Sequence, residues 1–101
     1  MNKYELTAKD GTTFNIVGEC LASVAALNHD DSVRATLRLF KTAAGFVCES
    51  VDNPHTADAS YRIEHCENSL GVYQFFGTMP LANYLYGSAK MAVPGLVHVK
   101  A

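Results

Sequence analysis

The sequence lacks any marked excess of one charge. Lysine and arginine together number 8, aspartate and glutamate 10, and the formal net charge of the 101 residues is −2 at pH 7. Proteins that bind nucleic acid normally concentrate positive charge on one surface, so this composition excludes a strongly basic footprint. The negative charge is also too small for a dense acidic mimic of nucleic acid. We therefore expect no nucleic-acid partner.

Long apolar runs are missing as well. The longest apolar stretches are far shorter than the ~20 residues of a membrane helix. The N-terminal segment MNKYELTAKDG has no apolar core of the kind that secretory signals contain. We expect a cytoplasmic protein without a membrane partner. The length suits one domain, residues 1–101, with one modest core.

Cysteines are few and widely spaced. Cys20, Cys48 and Cys66 form no short ligand pair such as C-x-x-C, and their odd number argues against a disulfide framework. Because free cysteine is among the most buried residue types, we expect buried free thiols. The sequence predicts no metal site.

Motifs for catalysis and cofactor binding are lacking too. No glycine-rich phosphate-binding loop and no G-x-S-x-G segment occurs. The densest polar cluster is Glu64-His65-Cys66-Glu67, but neighbouring strand residues point to opposite faces, so His65 and Cys66 cannot easily form a catalytic pair. A distant histidine could approach Cys66, although no pattern supports one. We expect no catalytic residue and no cofactor, and an enzyme is the less favoured class.

The sequence does contain a series of strand patterns, which begins with a hairpin. Residues 3–8 alternate in polarity, and Asp10-Gly11 is a hairpin turn signal. Residues 12–17 are rich in β-branched and aromatic side chains, which favour a second strand.

The residues that follow this hairpin are ambiguous. Residues 18–27 fit either a short helix or a continuation of the second strand past a glycine bulge. The continued strand would place Cys20, Ala22 and Val24 on one face. The strand is favoured because glycine at position 18 would be a poor helix N-cap.

A second hairpin occupies the middle of the chain. Residues 33–41 alternate clearly, and residues 46–51 return after a tight connection. A two-residue loop at Ala43-Ala44 pairs Leu39 with Cys48 and Arg38 with Glu49. The second pair places opposite charges across the two strands, which stabilises them slightly.

Further elements follow towards the C-terminus. Residues 59–67 and 72–76 are predicted strands joined by a turn, and residues 96–100 fit a short strand at a sheet edge. Between residues 76 and 96 the sequence predicts a helix, with Thr78 as a good N-cap and an end near Met91. The helical spacing places Leu81, Tyr84 and Leu85 on the side that faces the sheet.

These patterns together predict an α+β domain. Its architecture is a mainly antiparallel β-meander of five or six strands with one C-terminal helix packed on a face. Four residues are candidates for an interface. Met79 and Tyr86 fall on the outer side of the helix, and Phe40 and Val47 share the less apolar face of the central hairpin. Tyrosine and methionine are favoured at interfaces, although core packing is the simpler interpretation for most of the aromatic residues near the helix.

The segments LRLFKTAAGFVCES and FFGTMPLANYLYGSA resemble small accessory proteins carried by mobile elements. No diagnostic motif accompanies this resemblance, and it assigns no residue a role. It implies an accessory or inhibitory protein that docks on a larger host protein. We therefore expect a non-enzymatic protein-binding module that acts as a homodimer or on a larger partner. The alternative is a small-molecule binder or minor enzyme with a pocket between sheet and helix, near His65 and Tyr73.

Overall fold

The computed structural model describes residues 2–8, 10–54 and 56–91. Within these ranges five strands precede two helices. The strands are β1 (Asn2–Thr7), β2 (Thr13–Leu27), β3 (Val33–Thr42), β4 (Gly45–Asp52) and β5 (Ser60–Cys66), and the helices are α1 (Ser69–Phe76) and α2 (Pro80–Ser88). Each strand pairs antiparallel with the next, in the order β1-β2-β3-β4-β5. The predicted antiparallel meander is confirmed with five strands, whereas the prediction of a single C-terminal helix is wrong.

The first hairpin is confirmed at its predicted turn. Gly11 adopts the left-handed conformation with φ of 87°, which glycine accepts without steric cost. The Gly11 N–H donates to the Ala8 carbonyl, and the Ala8 N–H donates to the Thr12 carbonyl at 2.8 Å. The Asp10 carboxylate accepts from the Thr12 N–H at 2.9 Å, and this bond lowers the pKa of Asp10. The Ala8–Thr12 bond fixes which residues of β1 bond to β2.

The favoured strand at residues 18–27 is confirmed, with an irregularity in its pairing to β3. Cys20 pairs with Phe40 and Ala22 pairs with Leu39, so Leu21 is an extra residue in the ladder. Because Leu39 and Phe40 are neighbours on β3, their side chains point to opposite faces. Cys20 therefore lies on the face opposite Ala22, and the expectation that both share one face is wrong.

The central hairpin has the predicted register. Leu39 pairs with Cys48, and Arg38 pairs with Glu49. The turn closes at Thr42 and Gly45, where glycine has a φ of 127° that side chains rarely adopt.

Helix α1 replaces the strand predicted at residues 72–76. Asn68 caps this helix, since its side-chain oxygen accepts the Gly71 N–H at 3.1 Å. Val72 and Phe76, four residues apart, are both buried against the sheet. Asn68 was assigned to a turn but is a helix N-cap, and the two are hard to distinguish because asparagine is favoured both in turns and at N-caps. The predicted strand at residues 96–100 lies outside the described residues.

Helix α2 begins later and ends earlier than predicted. Its N-cap is Met79 rather than Thr78, and it ends at Ser88 rather than near Met91. Its buried residues are Ala82, Leu85 and Tyr86. Leu85 was correctly expected to face the sheet.

The two tyrosines of α2 lie on the opposite sides from those predicted, since Tyr84 was expected to face the sheet and Tyr86 to face outward. Tyr86 is 0% exposed, whereas Tyr84 is 73% exposed. The ring of Tyr86 meets that of Tyr73 on α1 edge to face, with centroids 4.8 Å apart. The Tyr86 hydroxyl donates to the Gly77 carbonyl at 2.5 Å. The error follows from the missed helix α1, since that helix supplies Tyr73 and Phe76, whose rings contact that of Tyr86.

Apolar clusters cover both faces of the sheet. The larger cluster lies between the sheet and the helices and contains Leu37, Leu39, Cys48, Cys66, Val72, Phe76, Leu85 and Tyr86. The smaller cluster lies on the opposite face, where Leu6 and Ile16 of the first hairpin pack on Phe40. The long strand β2 pairs with both β1 and β3, and the sheet curls so that the first hairpin approaches Phe40.

Gly18 lies where this curl brings two strands into close approach. A Cβ atom at this position would overlap the Lys41 carbonyl group of β3. We expect Gly18→Ala to lower the free energy of unfolding by about 1–3 kcal/mol, as overpacking does. The control is Gly87→Ala on α2, where nothing lies within 4 Å of the added methyl and helix propensity improves. Urea titrations that show equal effects of the two changes would contradict the close approach.

Candidate functional site

The four interface candidates do not form one surface. Met79 lies at the start of α2 and is 59% exposed, whereas Tyr86 is buried between the helices and the sheet. On the opposite face Phe40 is 0% exposed, and Val47 is half-buried against the same cluster. Phe40 and Tyr86 are thus enclosed by their own chain. Of the four, Met79 alone keeps a large accessible side chain.

The free edge of β1 is the first candidate surface. Among the described strands β1 pairs only with β2, so its other side is a free edge of the described sheet. Antiparallel ladders alternate between pairs that exchange hydrogen bonds and pairs that do not. Starting from the Ala8–Thr12 bond, Leu6 and Tyr4 bond to β2. The backbone N–H and C=O groups of Lys3 and Glu5 therefore point away from the sheet.

The second edge of the described sheet is β5. Its residues include the charged side chains of Arg62 and Glu64. Arg62 reaches α1, where it donates to the Phe75 carbonyl at 2.9 Å and lies 4.4 Å from the centroid of the Phe75 ring. Charges along an edge discourage strand addition, but each edge carries two of opposite sign: Arg62 and Glu64 on β5, Lys3 and Glu5 on β1. Charge therefore does not distinguish the two edges, and the difference between them is that Arg62 of β5 is held against α1.

A polar trough adjoins the edge of β1 on the face opposite the helices. Its volume is about 430 Å³. Its lining comes from all five strands and the loop that precedes β5: Glu5, Thr7, Ser23, Thr36, Arg38, Glu49, Val51, Pro54 and Tyr61. Hydroxyl and charged groups thus converge beside strand β1.

An ion pair with a buried carboxylate belongs to this lining. The Arg38 guanidinium donates from Nε to Oε1 of Glu49 and from Nη2 to Oε2 at 2.8 Å. The side chain of Glu49 is 4% exposed and that of Arg38 35%. Because Arg38 donates these hydrogen bonds to the Glu49 carboxylate, the pKa of Arg38 lies above its ordinary value. The pairing was predicted from the register, but its burial was not, since burial depends on the curl of the sheet.

A cleft on the helix side offers another concave surface. Its volume is about 690 Å³. The apolar part of its lining is Ala26, Ala35, Met79, Pro80 and Leu81, and the polar part is Arg34, Asp52, Asn53, Asp58 and Ser60. The cleft lies between sheet and helix, but not beside His65 and Tyr73. His65 pairs with Val47, which faces away from the helices, so His65 and Tyr73 do not share a pocket.

The three cysteines are free thiols. Cys48 and Cys66 are buried as expected, with their Sγ atoms 3.7 Å apart, while Cys20 is exposed. Burial raises the pKa of the Cys48 thiol, and the neighbouring Cys66 raises it further. Within the described ranges, no group of three or more His, Cys, Asp or Glu side chains could hold a metal ion.

Comparison with known proteins adds no functional information, since no family model, curated protein or solved structure matches the chain. Helices α1 and α2 contain 8 and 9 residues, and no helix in the described part of the chain has the length and apolar character needed to cross a membrane.

Proposed function

We propose that this protein works by associating with another protein chain through the free edge of β1, without catalysis. The observation that carries the proposal is the row of outward backbone groups at Lys3 and Glu5, whose side chains are exposed. An exposed sheet edge accepts an extended strand through main-chain hydrogen bonds, and side chains beside it select the partner. The polar trough next to β1 could receive side chains of the added strand.

Two partner classes fit this mode of binding. One is a second copy of the chain, and the other is a larger host protein, as the resemblance to accessory proteins of mobile elements implies. The helix layer adds three exposed apolar side chains, Leu70, Met79 and Tyr84, which could extend a contact beyond the edge. Such residues contribute contact area at interfaces.

The test blocks the edge while leaving the fold intact. Glu5→Pro removes an outward N–H without removing a β1–β2 bond, because proline is tolerated at the free side of an edge strand. Glu5→Thr is the matched control, since it keeps the N–H and removes the charge. Sedimentation velocity at micromolar concentration measures self-association, and a pull-down from the native host with mass spectrometry measures other partners.

We expect wild type to associate, with itself or with a captured protein, and Glu5→Thr to keep that association at an affinity within about tenfold of wild type, because it loses charge pairs but no backbone hydrogen bond. Glu5→Pro should lose the association. Equal unfolding midpoints of the two variants would show that both are folded. Association that persists in a folded Glu5→Pro variant would refute the edge as the contact. A monomer that captures nothing would refute the function itself.

A second candidate function is small-molecule binding in the helix-side cleft. Its volume of about 690 Å³ and its mixture of apolar floor and polar groups are typical of ligand pockets. A ligand screen by thermal shift tests this candidate. A compound that stabilises the wild type but not a Leu81→Glu variant would favour it over association.

A further inference from the structure

We infer that the strand added to β1 is the β1 strand of a second copy, in antiparallel register about a two-fold axis at Tyr4. This inference rests on the proposed function and names its partner. In this register Lys3 lies opposite Glu5 of the second copy, and Glu5 opposite Lys3. The two five-stranded sheets then form one continuous sheet.

Backbone groups along β1 point alternately towards β2 and away from it, and this alternation restricts the registers in which a second β1 can pair. Only residues with outward backbone groups can exchange bonds across the new pair, and these are Lys3, Glu5 and Thr7. An antiparallel pairing about a two-fold axis must therefore match these residues with one another. The axis can pass through Lys3, Glu5 or Thr7 itself, or through Tyr4 or Leu6 between them.

The charges select among these registers. A pairing centred on Lys3 places two ammonium groups opposite each other, and a pairing centred on Glu5 does the same with two carboxylates. Like charges directly opposite destabilise a strand pair, and opposite charges stabilise it. Within β1 (Asn2–Thr7), pairings centred on Leu6 or Thr7 place no opposite charges together. Among the registers that pair residues of β1 with one another, only the one centred on Tyr4 makes two ion pairs, and its hydrogen-bonded positions supply four backbone hydrogen bonds.

The central residue of this register is already held in place. The ring of Tyr4 packs on Phe40 with centroids 4.9 Å apart, and its hydroxyl accepts the Cys20 N–H at 3.2 Å. In the dimer the two Tyr4 residues form the central pair without backbone hydrogen bonds, where side chains come closest. Because the ring is fixed before association, little side-chain entropy is lost when the second ring arrives.

Charge reversal tests the register. In its homodimer, Lys3→Glu places the new carboxylate opposite Glu5 twice, and Glu5→Lys places the new ammonium group opposite Lys3 twice. Each homodimer should dissociate about tenfold more readily than the wild type, because two attractive pairs become repulsive. An equimolar mixture of the two variants makes only attractive pairs in the mixed dimer. The double variant Lys3→Glu/Glu5→Lys likewise restores both pairs.

Sedimentation equilibrium from micromolar to near-millimolar concentration measures these affinities. We expect weak homodimers of both single variants and affinities near wild type for the mixture and the double variant. A wild-type dimer that both reversals leave unchanged would overturn the register while leaving association in place. A monomeric wild type that binds a host protein through β1 would overturn the second copy as partner, yet the proposed function would stand.

Discussion

Replacing Tyr86 with alanine is expected to lower the free energy of unfolding by about 3–5 kcal/mol, as for other large aromatic residues in cores. Its side chain is fully buried, packs against Tyr73 and Phe76, and donates a hydrogen bond to the Gly77 carbonyl. Truncation removes the aromatic contacts and leaves a cavity where α1 and α2 meet the sheet.

Tyr84→Ala is the matched control, since it makes the same change on the same helix at an exposed position. We expect it to alter stability by no more than about 0.5 kcal/mol. Denaturant titrations of both variants measure the difference. Similar losses for the two substitutions would show that the described orientation of α2 is incorrect.

The hydroxyl of Tyr86 adds a pH dependence to the same prediction. Burial, with a smaller contribution from nearby Tyr73, raises the pKa of Tyr86 to about 12. The folded protein therefore holds this proton more tightly than the unfolded chain, whose tyrosine has a pKa of 10.0. The stability that the folded state gains by holding this proton is fully present below pH 10 and is lost as the pH rises towards 12. Tyr86→Phe should flatten the stability profile in that window.

Replacing Arg38 with alanine is expected to cost about 3 kcal/mol, at the low end for a broken buried ion pair because the trough admits water to the site. The Glu49 carboxylate is almost completely buried and accepts two bonds from Arg38. Removal of the guanidinium leaves a negative charge without its partner. The loss of stability therefore comes mainly from the Glu49 carboxylate, which stays buried without its partner.

The double variant Arg38→Met/Glu49→Leu separates this penalty from the net value of the pair. Apolar replacements for both members of a buried pair are often neutral or stabilising. We expect the double variant to unfold near the wild-type urea midpoint and Arg38→Ala far below it. A double variant as unstable as Arg38→Ala would mean that lost packing, rather than the unpaired carboxylate, causes the loss.

The sequence was informative where local patterns determine structure. The alternation of residues 33–41 and the short connection after it predicted the register of Arg38 with Glu49. Asp10-Gly11 predicted the first turn, since glycine suits its left-handed position. These features depend on residues close together in the chain, so the local pattern suffices to predict them.

The predictions failed where contacts between distant parts of the chain determine the local structure or the burial of a side chain. The segment VYQFF fits a strand or one buried helical face, and only Asn68 acting as an N-cap distinguishes the two. Once α1 was missed, the exposure of Tyr84 and Tyr86 was interchanged, because the missing helix carries the partners of Tyr86. The burial of Phe40 depends on the curl that brings Leu6 over it.

The candidate site was predicted in part for the same reasons. The alternating pattern at the start of the chain predicted a strand around Tyr4, and the structure places this strand, β1, at the edge of the described sheet. The trough beside it was not predicted, because its lining comes from all five strands and requires their relative positions. The helix-side cleft was expected between sheet and helix, but at a different end from where it lies.

Amide hydrogen exchange of β1, resolved by residue and followed over a range of protein concentrations, tests the association through this edge most directly. The account predicts that the Tyr4 and Leu6 amides, which bond to β2, are protected at every concentration. The Lys3 and Glu5 amides should exchange rapidly in dilute solution and become protected as the concentration rises or a captured partner is added. Rapid exchange of Lys3 and Glu5 in every associated state would contradict the account.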